Sequence, residues 1–413
     1  MLLVIGLGMT TFAPHFKKEK TMKITANPAS YKVFSGFITA IIMGFLSFLP
    51  VSIQASGGEE GGKFSPGDMI MEHIQDAHSI HLIGHTSIPL PIILYTDKGI
   101  EVFMSSNFWD EHHNYIPYTS PRTGYTYAND HETIKFASNV VLHHEHTAAD
   151  STHQEIAHLD TPHIAVSSAE THATLIDFSI TKSVFGMLLV LFLLVLIFTS
   201  VARKYRKGGA PKGMQNLMET LVLFIRDQVV IPSMGEKRGA KFLPLILTLF
   251  FFIWGCNMLG LIPFLGGFNI TGTMSITLVL AALVFVVTLI NGNGHYWGHI
   301  FWPPGVPFFV KLILVPIEIA SVFIKPAVLM IRLTANITAG HIVILALVSL
   351  VFLFGSTNAA AGYGVGLGAS LFIVFMFFIE ILVAFLQAYV FVLLASLYFG
   401  DATQEHQHEE AHH

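Results

Sequence analysis

Apolar and polar positions divide the chain near residue 179. Beyond that point long apolar runs occupy 184–202, 242–264, 274–290, 310–355 and 365–399. A helix of roughly 20 apolar residues spans a bilayer, so the pattern predicts five membrane helices. The last two are too long for a perpendicular crossing. At about 1.5 Å per residue each would run beyond ~50 Å, so they must tilt strongly, bend, or lie partly along the membrane plane. Residues 214–230 are shorter and mixed, with Glu219, Arg226 and Asp227, and read as an interfacial helix.

The first 178 residues follow other rules. Lys23 and Lys32 precede an apolar run at 33–51, and Gln54-Ala55-Ser56 follows it. That order of basic, apolar and small residues predicts a signal peptide over 1–55, with Met22 the more conventional start. The alternative is an uncleaved membrane anchor. Residues 56–178 are polar. Within them 88–95, the turn at 96–99 and 100–105 read as strand, turn and strand. Residues 143–173 lack periodicity and read as loop or disorder. The expected fold is an all-α polytopic membrane protein with a small, partly β, His-rich external domain at its N-terminal side. The membrane domain covers 179–400, and 401–413 is a His-rich cytoplasmic tail.

Composition supports a bilayer as solvent. The 413 residues are 53% hydrophobic and 12% charged, with a mean hydropathy of +0.61; soluble domains carry about 25% charged residues. A net charge of -5 gives no reason to expect nucleic acid. Cys256 is the single cysteine, which excludes a disulfide within the chain. Of 22 histidines, 14 lie between His73 and His172. His73, His78, His81 and His85, and the run His143-His144-Glu145-His146, have the residue types of a metal site. Their spacing is irregular, so a solvated polar segment is the reading, and no metal or cofactor is expected.

Charge also sets orientation. Arg203, Lys204, Arg206, Lys207 and Lys212 follow the first span, and Lys237, Arg238 and Lys241 precede the second. The loops at 264–273 and 355–365 hold no Lys or Arg. The positive-inside rule places 203–241 in the cytoplasm of a bacterial inner membrane. The N-terminal domain is then periplasmic and the C-terminus cytoplasmic, in agreement with the signal peptide.

Ionisable groups within a bilayer are costly and need a reason. The fourth predicted helix carries Glu318, Lys325, Arg332 and His341, and the fifth Glu380 and Gln387. Glu318, Lys325 and Arg332 are spaced by seven and share one helical face, and Asn336 joins it one turn on. Ala335, Thr338, Ala339 and Gly340 are small and allow another helix to approach closely. His341 lies ~13 Å beyond Arg332 along the axis and roughly opposite in azimuth. One helix thus offers a permanent cation to one neighbour and a titratable group to another. A carboxylate, an imidazole and an amide in lipid are the parts of a proton relay. Taken singly, other roles stay open. Arg332 is compatible with a structural ion pair, Glu318 and Lys325 with a surface pair or snorkelling, and Asn336, Gln387 and Asn257 with helix packing.

The run Ile331-Arg332-Leu333-Thr334-Ala335-Asn336-Ile337-Thr338-Ala339-Gly340-His341 resembles the signature of subunit a of F-type ATP synthases. Pro316-Ile317-Glu318 and Ile324-Lys325-Pro326 resemble the segment before it. Glu380 with Leu386-Gln387-Ala388-Tyr389-Val390-Phe391 resembles the family's last helix, and 254–263 its second span. The resemblance covers roughly 179–400. It implies a proton-translocating, non-catalytic subunit with a c-subunit ring, a b-subunit peripheral stalk and the rest of the synthase as partners. It implies that Arg332 faces the ring carboxylate. His341 and Glu380, with Asn336 and Gln387, would line the proton path. Glu318 and Lys325 are further candidates.

Two other classes of membrane protein fit the pattern less well. A membrane haem subunit needs axial ligands inside the bilayer, and His341 is the one histidine well within a predicted span. A metal-ion transporter with a His-rich external domain needs a cage of membrane carboxylates and histidines, which the spans do not supply.

Overall fold

The computed structural model describes residues 67, 70, 74–81, 87–109, 116–130, 133–136, 140–141, 165–166, 175–206, 213–262, 268–357 and 359–404. The signal-peptide segment 1–55, His143–His146 and 405–413 lie outside the described residues.

Among the described residues seven α-helices follow one another: α1 (Lys182–Arg206), α2 (Met214–Ile225), α3 (Ile231–Gly260), α4 (Met274–Ile290), α5 (Gly294–Phe301), α6 (Phe308–Thr357) and α7 (Ala359–Thr403). Among the described residues four segments are long and apolar enough to cross a membrane, or five if α4 and α5, bent by 102°, count as one span. The expected polytopic helical architecture is therefore present. The stretch read as an interfacial helix, α2, runs through a π-helical turn at Arg226–Val230 directly into α3. The axis breaks at Gly235, whose φ of 74° suits a residue without Cβ. The short helix α5 has no counterpart among the elements expected from the apolar runs, since its eight residues GHYWGHIF are mixed in character.

The long helices α6 and α7 have 50 and 45 residues, about twice what a perpendicular crossing needs. They pack against each other, and α7 also packs on α3. On α7, Glu380, Ala384, Gln387, Ala388, Phe391 and Ala395 are buried. Their spacing of three and four is one helical face. Helix α6 is left largely uncovered, with Ile331, Phe323 and Ile317 among its exposed apolar residues. Such a surface is at home against lipid or another membrane helix.

The basic residues gather at one end of this bundle. Arg238 Nη1 donates to the carbonyl of Thr403 at 2.7 Å, and Lys241 Nζ to Asn291 Oδ1 at 3.0 Å. The start of α3 and the ends of α4 and α7 therefore lie together. The opposite end carries the start of α1 and the polar loop Phe268–Thr273.

The N-terminal domain is antiparallel β. Strand β1 (Ser79–His81) pairs with β2 (Ser87–Pro89). Strands β3 (Pro91–Thr96) and β4 (Gly99–Met104) form the expected hairpin, with β10 (Ile176–Asp177) on the other side of β3. A second sheet joins β5 (Tyr118–Thr119), β6 (Thr126–Asp130) and β7 (Thr133–Phe136); β8 (Val140–Val141) pairs with β9 (Ala165–Val166). Alternation in β3 sends Ile92 and Leu94 inward, as a sheet with one packed face requires. They meet Phe103, Phe108, Tyr127 and Ile134 in one small core. The domain also docks on the helices. Ile80 and Leu90 belong to the helices' own buried apolar cluster.

Candidate functional site

The site lies where α6 and α7 run antiparallel. Gly340 faces Glu380 so closely that a Cβ at Gly340 would stand 2.5 Å from Glu380 Oε1 and 3.2 Å from its Cδ. The glycine is what lets the carboxylate reach the turn that carries His341. Behind the imidazole is Gly260, where a Cβ would stand 3.6 Å from His341 Nε2 and 2.6 Å from the carbonyl of Phe268. Glu380 is 8% exposed. His341 Nε2, Glu380 Oε1 and the neighbouring Thr338 Oγ1 are buried and take no hydrogen bond from the protein. Buried polar atoms find partners in almost every native structure, so three such atoms on the facing stretches of α6 and α7 mark a polar spot in an otherwise apolar interface. The Glu380 carboxylate is thus placed against the residue that precedes His341, and no hydrogen bond joins the carboxylate to the imidazole.

A neutral frame holds this spot. Asn257, 2% exposed, donates from Nδ2 to the carbonyl of Ala384 at 3.0 Å, and its Oδ1 accepts from Thr271 Oγ1 at 2.6 Å. It ties α3 and the loop before α4 to α7 one turn beyond Glu380. Thr277 and Thr334 share a hydrogen bond of 2.7 Å that ties α4 to α6. Asn257 was read from sequence as a packing or capping residue, and the bonds fit that. The threonines carried no signal there, because a lone Thr in an apolar run is unremarkable until its partner is known.

Arg332 and Asn336 are exposed, as are Ala335 and Ala339 between and beyond them. Arg332 takes part in no ion pair among the described residues. A permanent charge on a smooth, uncovered face of a membrane helix is costly without a partner. The α6–α7 pairing is fixed above by Gly340 against Glu380. Below, Lys325 Nζ stands 5.5 Å from the centre of the Tyr398 ring. Between these contacts Arg332 lies at the level of Gln387, which is 9% exposed.

Glu318 and Lys325 share the azimuth of Arg332 but not its exposure; both are half-buried. Lys325 lines a crevice with Thr288, Tyr296, Tyr398 and Asp401. Glu318 is an electrostatic neighbour of Tyr296 there. The ends of α4, α5 and α7 cover this part of α6 and leave the part around Arg332 free. Among the described residues no group of three or more His, Cys, Asp or Glu is placed to hold a metal.

Residues 184–400, more than half of the chain, match the profile of the ATP synthase A chain family. The chain belongs to that family. It is similar to ATP synthase subunit a 2 of Chlorobaculum tepidum, 38% identical across 66% of this chain and 75% of the relative. It is also similar to ATP synthase subunit a of Chloroherpeton thalassium, 41% identical across 57% and 70%. With that of Chlorobium phaeobacteroides it is 37% identical across 67% and 80%. As an ATP synthase A chain it is a multi-pass membrane protein and a component of that complex, and the haem and metal-transport readings are set aside. Residues 69–178 match a separate profile, a domain of unknown function (DUF8433).

Proposed function

We propose that this chain is the proton-conducting stator of an F-type ATP synthase, non-catalytic in itself, and that Arg332 is its essential charge. The observation that carries the reading is an exposed arginine on a face of small residues, without an ion pair among the described residues and a little over two helix turns from Gly340 and His341. A ring of c subunits supplies the missing carboxylate, and a b-subunit peripheral stalk holds the stator in place. The basic end of the bundle lies in the cytoplasm with the C-terminus, and the domain over 56–178 in the periplasm, exported by the signal peptide.

A proton arrives from outside at His341 and Glu380, passes Asn336 and Gln387, and neutralises a ring carboxylate. The neutral carboxyl can turn into lipid, where an ionised one could not. After the turn it loses its proton to the inner half-channel, assigned to the crevice of Glu318 and Lys325. Arg332 separates the two paths. Its guanidinium remains protonated, so it attracts the ionised carboxylate without relaying a proton itself. Each charge moved contributes about 2.3 kcal/mol per 100 mV.

The test is Arg332→Lys. Lysine keeps a charge but not the planar fork, and in a desolvated setting it can release its proton. Proton-driven ATP synthesis in reconstituted vesicles is expected to be lost while the complex still assembles. Wild-type synthesis rates would refute the assignment.

A further inference from the structure

The polar spot does not stop at His341. Beside Gly260 and the Phe268 carbonyl begins the loop Phe268–Thr273, in which Asn269 is 3% exposed and its Oδ1 is buried without a protein partner. Any side chain at Gly272 would collide with the Asn269 amide, so the loop is shaped around that group. Thr273 Oγ1 donates to the Asn269 carbonyl at 3.0 Å and lies 3.1 Å from Ser183 Oγ on α1. The Ser183 amide donates to Asp76 Oδ1 at 2.9 Å, and the Lys182 amide donates to the Ala77 carbonyl at 2.7 Å.

Asp76 and Ala77 belong to the external domain. They satisfy the first amides of α1, which a helix cannot satisfy itself. Next to them His78 is 4% exposed, with its Nε2 4.0 Å from Asp177 Oδ2. Lys182, 5% exposed, is an electrostatic neighbour of His341. Among the described residues, the charged groups on elements that meet His78's segment include Asp76 on that segment, Asp177 in β10 and Lys182 at the head of α1. From His341 outward, polar groups follow one another beside the Gly260–Phe268 contact: buried Asn269, half-buried Thr273 and buried Ser183, which reaches the domain's edge. Burying polar groups costs stability unless water or protein satisfies each of them.

We infer that the external domain builds the outer mouth of the proton path, with His78 and Asp177 as its proton-collecting pair. The inference rests on the reading of His341 and Glu380 given above. His78 takes a proton from bulk buffer or water, Asp177 stabilises the imidazolium, and His78 then releases the proton to water beside these polar groups, which passes it to His341. The domain thereby does work that the bundle alone does not. It places a titratable pair at the opening and seals the head of α1 against leak.

The experiment uses the assembled synthase in proteoliposomes, with ATP synthesis driven by acidifying the side that bears the external domain. His78→Gln and Asp177→Asn are compared with wild type in weak and in strong imidazole buffer on that side. General acid–base groups contribute ~10²- to 10⁴-fold, and a collecting pair backed by bulk water contributes less. Synthesis in weak buffer is expected to fall about tenfold in either variant and to recover in strong buffer. Wild-type rates in both, or a loss that is the same in every buffer, would overturn the inference. If either variant fails to assemble, Asn269→Cys in a Cys256→Ser background decides. Silver ion added from outside should block synthesis, and indifference to silver overturns the water-bearing path. His341→Ala and Glu380→Gln are run alongside. If these two synthesise ATP at wild-type rate, the underlying reading fails. If they are inactive while His78→Gln and Asp177→Asn are unaffected, this inference fails alone.

Discussion

Gly340→Ala separates position from presence at the acid–histidine site. The new methyl carbon would stand 2.5 Å from Glu380 Oε1, 3.2 Å from Cδ and 3.5 Å from Cγ. An ordinary carbon–oxygen contact is wider by almost an ångström, so the carboxylate must move by about that much. It is the tip of a flexible side chain and can move by rotating. The stability cost is therefore that of an off-rotamer torsion, about 0.5–1.5 kcal/mol, which overlaps only the lower part of the ~1–3 kcal/mol for overpacked cores. Function is more sensitive, because a ~1 Å misplacement of a reacting group can cost ~100-fold in rate. The expected result is a complex that assembles normally and pumps protons ten- to a hundredfold more slowly, on the order of what such a displacement does. The assay is ATP-driven proton uptake by inverted vesicles, with assembly followed on native gels. Two controls use the same substitution. At Gly368 on α7 nothing lies within 4 Å of the added carbon, and a helical Gly→Ala change there should be neutral or stabilising by up to ~1 kcal/mol. At Gly260 the added carbon meets the Phe268 backbone carbonyl at 2.6 Å. Backbone yields less readily, so assembly itself should suffer. Wild-type pumping by Gly340→Ala, with Glu380→Gln inactive, would refute the idea that the glycine sets the working position of the carboxylate.

The paired exchange His341→Glu with Glu380→His should retain part of the pumping that each single exchange loses, since it restores an acid–histidine pair. A double variant no better than the worse single would show that the two are not a coupled relay. Asn257→Ala removes both a donor to the Ala384 carbonyl and the acceptor of Thr271, leaving a buried hydroxyl without its partner at about 1–3 kcal/mol. The thermal midpoint of the assembled complex should fall, and an unchanged midpoint would mean that the amide is not the tie between α3 and α7.

The apolar runs alone announced a polytopic helical membrane protein, because in a bilayer the length of an apolar stretch and its lack of charge leave the backbone little choice, whereas the bend between α4 and α5 was decided by the fold. The strand–turn–strand reading of the N-terminal domain came equally from local pattern, since the alternation of Ile92 and Leu94 with outward residues is visible in the chain. Arg332, His341 and Glu380 stood out for a related reason, as ionisable groups are conspicuous where the solvent is lipid. Other features had no such signature. Helix α5 is too short and mixed to show a period. That Gly340 makes room for a carboxylate 40 positions further on depends on how α6 and α7 pair. So does the division of one helical face into a covered part at Lys325 and an open part at Arg332. Asn257, Thr271, Lys182 and Asp76 are ordinary polar residues in the sequence. They acquire meaning only when the folded chain buries them beside partners far away, as Asp76 is beside Ser183, because burial turns each polar atom into one that must be satisfied.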